Sequence, residues 1–539
     1  MRCALPLPLA LVLAVAACGN SKPSFPSLCV GVVPAPAACA TACDPKPDAV
    51  NTCPTGYNCS ADGKCDSQCT ENGGQCGTGY DCTSNGQCVS SNGCNGLECK
   101  ITDCTKMGMP QTAITGTVFA PNGTLPLFGI NVFVPNVAPG AFADGAGCAR
   151  CSDEIPSDAI ALTVTDESGK FNLPAVPDGD NIPLVISVGK WRRQIKIPHV
   201  NACSTTTLTA MDTSLPKSQD DIAGNTTAVD MPKIAISTGS ADSLECLVRR
   251  LGIADKEITT DSGTGKIQLF SDNGATVNNN GVGTASFDTG FAGGKGAFSD
   301  SKTLWGVGAD PGKLAKYDIV ILSCEGDQHV ETKPQEAMDH LQAYADLGGR
   351  VFLSHWHNIW LEGSNHGNNA NANVRPKVWA DPAKPIANWS NGGDTGNNTV
   401  DTIDEVANPK GMSFGTWMFN VRGNMATPRD SVPLVDGTGK STLNSVDAMR
   451  VEQWVYLQKD ANTRVTQNFQ FTTPVGTPLA ERCGKVVFSD MHVSGGPTTV
   501  MNKIPPYPTS CGTTTTLSDQ EKALAFMFFD IASCVGTLF

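Results

Sequence analysis

Hydrophobic and polar positions change rhythm several times along this chain. An almost unbroken apolar run covers Ala4 to Ala17, interrupted by Pro6 and Pro8. A stretch rich in Pro, Ala and Ser follows, and then a cysteine-dense region with few other apolar residues. From Ala113 to about Val200 apolar positions alternate with polar ones in short runs at 114–118, 129–134, 161–164, 170–173, 183–188 and 193–197. Period-two runs between turn signals predict antiparallel strands packed as a β-sandwich.

From about Pro232 the rhythm becomes strand, helix, strand. Strands are expected at 233–237, 266–270, 317–323, 350–354 and 485–489. A helix is expected to open at Asp242, with Glu245 completing a capping box, and another to run over 333–347 with Pro334 in its first turn. The last helix should start at Ser518, with Glu521 three residues on. Alternating β and α elements imply a parallel sheet covered on both faces. Long polar or Gly/Asn-rich inserts are expected near 271–312 and 363–402. The fold class is therefore multidomain, with disulfide-rich repeats, a β-sandwich and an α/β domain. Its expected parts are 1–17, 18–42, 43–104, 110–205 and 230–539.

The first apolar run is too short for a permanent span, which needs roughly 20 residues. Its length suits a signal-peptide core. Val15, Ala16 and Ala17 precede Cys18, and Gly19 follows. Small residues before a cysteine resemble the lipobox of bacterial lipoproteins. The resemblance implies a signal peptide over 1–17, a diacylglycerol on the Cys18 thiol and, because Gly19 is not Asp, an outer-membrane or cell-surface location. Residues 18–42 would then be a flexible tether.

Composition sharpens this picture. The 539 residues carry a net charge of −14, which excludes nucleic acid as a partner, since that needs a basic face. Of 23 cysteines, Cys3 and Cys18 belong to the leader and the lipid site. An odd remainder leaves at least one thiol free or joined to another molecule. Such abundance after an export signal reads as disulfides formed outside the cytoplasm. The stretch 53–65 repeats at 76–88: Cys53, Tyr57, Cys59 and Cys65 correspond to Cys76, Tyr80, Cys82 and Cys88. With Cys43, Cys69, Cys94, Cys99 and Cys104 these are disulfide candidates, as are Cys148, Cys151, Cys203, Cys246, Cys324, Cys483, Cys511 and Cys534. Zinc is disfavoured in the repeats, where C-x-x-C ligand pairs are absent.

The run from Ile114 through Asp166, Phe171, Val176 and Gly179 resembles the carboxypeptidase regulatory-like domain. That family has a transthyretin-like β-sandwich, is grouped with carbohydrate-binding-like folds and is usually non-catalytic. Here it departs from the pattern with an insert carrying Cys148 and Cys151. Tyr317 to Leu322, then Tyr344 and Gly348 to Leu353, are similar to the class I glutamine-amidotransferase-like, flavodoxin-like fold, with its ThuA-like branch nearer. The late strand 484–492 fits that group. The whole chain resembles uncharacterised cysteine-rich lipoproteins of myxobacteria, whose relatives sometimes carry a tryptophan synthase alpha label. A (β/α)₈ barrel would need eight regular units, and the pattern does not supply them.

Ligands in open α/β sheets bind beyond the carboxyl ends of the strands. Three expected ends are chemically rich: Cys324 with Glu325, His355 with His357, and Asp490 with His492. Only seven histidines occur in the chain, and three of them fall there. In the amidotransferase family the second position holds a nucleophilic cysteine. Ser354, His355 and Trp356 stand there instead, so glutaminase activity is not expected. Cys324 is either a displaced nucleophile or a disulfide partner. The histidines with Asp490 or Glu325 suit a divalent metal, the candidate cofactor, with His355 and His357 on one face if the strand continues. Trp191 to Arg193 offers either a ligand contact or a solvated strand edge. Trp379 and Trp389 among amides suggest glycan stacking. The run 436–442 resembles half a phosphate loop, but Leu434 stands where the first Gly is required, so it reads as a turn. The leading expectation is a membrane-anchored binding or structural protein with a carbohydrate, surface-polymer or surface-protein partner. The alternative is a metal-dependent hydrolase.

Overall fold

The computed structural model describes residues 27–29, 36–44, 52–60, 62–70, 75–76, 80–84, 86–90, 96–151, 155–156, 159–239, 241–271, 298–364, 374–390, 392–423, 426–492, 507–508, 511 and 516–535. The expected leader, the Cys18 lipid site and Cys94 lie outside the described residues. The chain divides into two compact units, Met1–Cys99 and Lys100–Phe539. No helix among the described residues is long and apolar enough to cross a membrane.

In the first unit disulfides replace an apolar core, as so few apolar side chains require. The repeat is visible in the bridges. Cys43–Cys59 and Cys53–Cys65 cross in one copy, and Cys69–Cys82 and Cys76–Cys88 cross in the same way in the next. Each copy ends in a small antiparallel ribbon, 58–59 with 65–66 and 80–82 with 88–90. Cys29–Cys39 closes a further loop within the expected tether, a bridge the sequence reading left out. Cys99 is disulfide-bonded as well.

The second unit begins with two β-sheet layers, antiparallel as expected except that 205–207 pairs parallel with 113–117. A five-stranded sheet runs in the order 226–230, 191–200, 179–188, 131–135, 159–164, and a three-stranded sheet in the order 205–207, 113–117, 170–174. The alternation that predicted these strands is seen in Lys170–Pro174, where Phe171 and Leu173 are buried between exposed neighbours. The layered part extends past the expected boundary at 205, because Thr226–Asp230 pairs with Trp191–Val200. Arg192 and Arg193 are neither ligand contacts nor a solvated edge. Both are buried, Arg192 on Asp230 and Arg193 on Asp221 and the Ser214 carbonyl.

The α/β part is built on β1 (Ile234–Ser237), β2 (Ile258–Thr260), β3 (Ile267–Phe270), β4 (Ile319–Leu322), β5 (Arg350–Ser354), β6 (Val400–Ile403), β7 (Ser431–Pro433), β8 (Glu452–Gln458), β9 (Arg464–Thr473) and β10 (Gly484–Ser489). They form one sheet in the order 2-3-1-4-5-10-9-8-6-7. Strands 2, 3, 1, 4, 5 and 10 are parallel, and 9, 8, 6 and 7 extend the sheet antiparallel. The expected all-parallel sheet is thus a mixed one. The expected insert 363–402 also gives up its end to β6.

The helices are α1 (Leu244–Arg250), α2 (Gln335–Asp346), α3 (Gly411–Arg422) and α4 (Asp519–Ala532), and α2, α3 and α4 pack on this sheet. Met338, Leu341 and Tyr344 of α2 join Val320, Leu322, Val351, Leu353, Val486 and Phe488 in one core. These strand positions are two apart and share a face. The α4 cap is the expected box, Ser518 Oγ accepting from Glu521 N and Glu521 Oε2 from Ser518 N. The α1 box does not form. Ser243 is the cap residue there, and Asp242 instead accepts from Ser354 Oγ at 2.5 Å.

The layered part sits against the N-terminal ends of the parallel strands. Lys190 pairs with Asp318 before β4, Ala149 accepts from Arg350 at the start of β5, and Cys148 is bonded to Cys483 before β10. Cys151–Cys534 adds a second bolt, while Cys104–Cys203 and Cys246–Cys511 complete the bridges seen in this unit. Cys324, offered as a disulfide partner, is instead a buried free thiol. The opposite, C-terminal strand ends carry the chemistry.

Candidate functional site

Strands β4, β5 and β10 lie side by side, and each passes into a loop bearing one member of a cluster. Cys324 follows β4, His355 follows β5 directly, and His492 follows β10. One potential ligand atom from each of the three lies within 4.8 Å of the others. Cys324 Sγ is 3.3 Å from His355 Nδ1, and the His355 and His492 rings are 5.1 Å apart. His492 Nε2 is buried with no hydrogen-bond partner. His355 has φ +42°, a left-handed conformation that is uncommon outside glycine and gathers at functional sites.

That backbone turn ends the strand. Residues 355–358 form a single 3₁₀ turn, so His355 and His357 do not share a strand face as expected. His355 meets Cys324, whereas His357 enters a separate buried group. There its Nε2 lies 2.9 Å from the Ser323 carbonyl and 3.4 Å from Glu325 Oε1, and Lys333 Nζ donates to Glu325 Oε2 at 2.6 Å. Asp490 is not in the cluster either. Its carboxylate accepts from Thr442 N and Thr442 Oγ1. Of the six expected candidates the structure brings three together, Cys324, His355 and His492.

Burial dominates the electrostatics. It pushes the Cys324 thiol up to about 12, with Asp242 and Glu325 adding like charge. Burial, and then the neighbouring His492 and Lys440, hold His355 down at about 2; burial and Lys440 hold His492 at about 3. Both imidazoles are neutral at ordinary pH, with a lone pair available on each ring. A cavity of about 410 Å³ opens in front of His355 and His492, bordered by Trp356, Asp394, Thr438 and Lys440 and by several glycines. Lys440 Nζ donates to Asp394 at the rim.

No family model matches this chain, and no curated protein does. Among solved structures, part of the chain is similar to two mutant type II cohesin–X-dockerin complexes from Acetivibrio cellulolyticus. Identities are 18% for the C-terminal interface mutant and 17% for the N-terminal one. Each match covers 29% of this chain and 80% of the other, at a TM-score of 0.14. At that score the likeness assigns neither fold nor partner.

Two neutral imidazoles and a thiol are the donors of a soft, borderline metal site. Tetrahedral zinc with bond lengths of about 2.3 Å to sulfur and 2.0–2.1 Å to nitrogen sets adjacent ligand atoms about 3.5 Å apart. The 3.3 Å between Cys324 Sγ and His355 Nδ1 fits this spacing. A metal-free thiol nucleophile fits less well, because burial disfavours the thiolate that attack requires.

Asp394 and Lys440 were not foreseen as part of the site. They do not follow any of the parallel strands and reach the cavity through a bridge between Asp394 and Lys440 and another between Gly439 and Met491. The turn expected around Gly439 is present, and its outcome is a cavity wall. Of the two tryptophans suggested for stacking, Trp379 is buried and unavailable. Trp389 is partly exposed and borders a second cavity of about 380 Å³, with Asn388, Arg375 and Ser364.

Proposed function

We propose that this chain is an exported, lipid-anchored hydrolase. Its α/β part would hold a divalent ion, zinc foremost, through Cys324, His355 and His492. The observation that carries the reading is the convergence of those three donors at the end of a sheet and beside an open cavity. Three protein ligands with a remaining open position are the arrangement of catalytic zinc sites. When bound, zinc lowers the pKa of its water to about 7 and so supplies a nucleophile at neutral pH. Lys440, Thr438 and the glycine-lined wall receive the substrate, and Trp356 bounds it on one side. Lipidation at Cys18 and an outer-membrane or surface location belong to the same proposal, supported by the leader and the disulfide density. So do a carboxypeptidase regulatory-like, transthyretin-like assignment of the layered part and an amidotransferase-like assignment of the α/β part.

The test is metal content and hydrolysis of p-nitrophenyl acetate by the full chain, with His492→Ala and Cys324→Ala variants beside it. Near-stoichiometric zinc and zinc-dependent ester cleavage, both lost in the variants, are expected. A folded wild-type chain that takes up no zinc, cobalt or manganese overturns the proposal.

A second reading, binding of a surface saccharide, is favoured by the cavity at Trp389. An aromatic face beside amide and guanidinium donors suits a polyhydroxylated ring. Retention of the wild-type chain but not Trp389→Ala on insoluble peptidoglycan supports it, and no retention of either removes it.

A further inference from the structure

The group that holds His357 has a specific relation to the proposed metal centre, and this inference rests on that reading. Cys324 lies between two residues that meet the same imidazole. On one side His357 Nε2 is 2.9 Å from the Ser323 carbonyl, and on the other 3.4 Å from Glu325 Oε1. Trp360 Nε1–H donates to His357 Nδ1 at 3.0 Å. Indole nitrogen is a donor only, so Nδ1 is the acceptor and Nε2 carries the proton that Ser323 receives. His357 is also two residues beyond His355. One ring therefore ties the loop bearing Cys324 to the loop bearing His355. Lys333 Nζ lies on Glu325 Oε2 at 2.6 Å, reaches Thr332 Oγ1 at 3.2 Å and stands over the Trp305 ring at 5.5 Å. Lys333, Glu325 and His357 are all essentially without solvent exposure. From the other side Ala241 N donates to the Cys324 carbonyl.

We propose that His357, Glu325 and Lys333 are positioning residues that hold the Cys324 thiolate in register with His355, with Lys333 balancing the carboxylate next in sequence to that thiolate. A thiolate ligand beside an uncompensated buried carboxylate would place two like charges in a low-dielectric interior, and the lysine removes that conflict. Partners behind first ligands typically change metal affinity by 10- to 100-fold.

The experiment loads the full chain with Co²⁺ and reads affinity, by competition with Zn²⁺, together with the thiolate-to-cobalt charge-transfer band. The variants are His357→Gln, Lys333→Met and the double Lys333→Met with Glu325→Gln, each checked for fold by near-ultraviolet circular dichroism. Affinity should fall 10- to 100-fold in His357→Gln and Lys333→Met, with a weakened or shifted band. The double variant, which has no stranded carboxylate, should regain most of the band. A purely packing role would lower thermal stability and leave the band unmoved. Wild-type affinity and spectrum in Lys333→Met overturn the positioning role, as does an equal loss in the double variant. A wild-type chain that gives no cobalt band overturns the metal centre itself, a separate and recognisable failure. If His357→Gln does not fold, the two lysine variants decide the matter.

Discussion

Replacing Asp401 by Asn should stabilise the protein, and far more at alkaline than at acidic pH. Asp401 lies in β6 opposite Val432, is fully buried, and has no hydrogen-bond partner on either carboxylate oxygen. Burial, with the charge of Asp490 added, pushes its pKa up from 3.8 to about 8. An unfolded aspartate gives up its proton near pH 4, whereas the folded one keeps it to about pH 8. Between those values the folded state binds more protons, so stability falls as pH rises. At roughly 1.4 kcal/mol per unit, the upper limit of the loss by pH 9 is about 6 kcal/mol. Asn removes the ionisation but adds a buried amide that costs about 1–3 kcal/mol if unpaired. The net gain should be near zero at pH 5 and reach at most about 3–5 kcal/mol at pH 9. Urea unfolding followed by tryptophan fluorescence, without reductant, at pH 5, 7 and 9 reads it. A stability difference that stays constant across the three pH values would refute the reasoning, since it would mean the carboxylate ionises in the fold at no cost.

A methyl group on Gly239 would overlap the Ser323 and Cys324 carbonyls, so Gly239→Ala should abolish metal loading and lower the melting temperature; unchanged metal content would contradict the crowding. Removing Cys148–Cys483 by paired alanines should cost about 2–4 kcal/mol, and removing Cys151–Cys534 as well should cost more, read as successive drops in non-reducing thermal melts. Cys18→Ala should move the chain from the membrane to the soluble fraction, and a variant that stays with membranes would exclude the lipid anchor at that residue.

Much of the fold was legible because buried strands advertise themselves. Ile319–Leu322 and Arg350–Ser354 are short, nearly continuous apolar runs, and the structure places both at the centre of the sheet. Arg464–Thr473 is almost wholly buried yet rich in Thr, Gln and Asn. Its polar side chains are carried inside by hydrogen bonds such as Thr466 to Gln453 and Gln470 to Glu452. A pattern read from hydrophobicity passes over such a strand, and the antiparallel half of the sheet went unseen with it. At the site, position after a strand pointed to six residues, of which the structure gathers Cys324, His355 and His492. The placement of His357 failed because the chain turns at His355, where φ is positive. A local backbone reversal at a residue other than glycine leaves no mark in the sequence.

The spacing of the disulfides also sets an order of events. In the repeats, partners are 12 to 16 residues apart, so each loop can close as soon as its own stretch of chain is present. Cys148 and Cys151 must wait for partners 335 and 383 residues further on. Until those partners are present they are two thiols three residues apart, within reach of each other and of sulfurs in the repeats. Correct pairing is therefore favoured by slow oxidation or by active thiol–disulfide exchange, either of which leaves that pair open to its distant partners until the far end of the chain arrives.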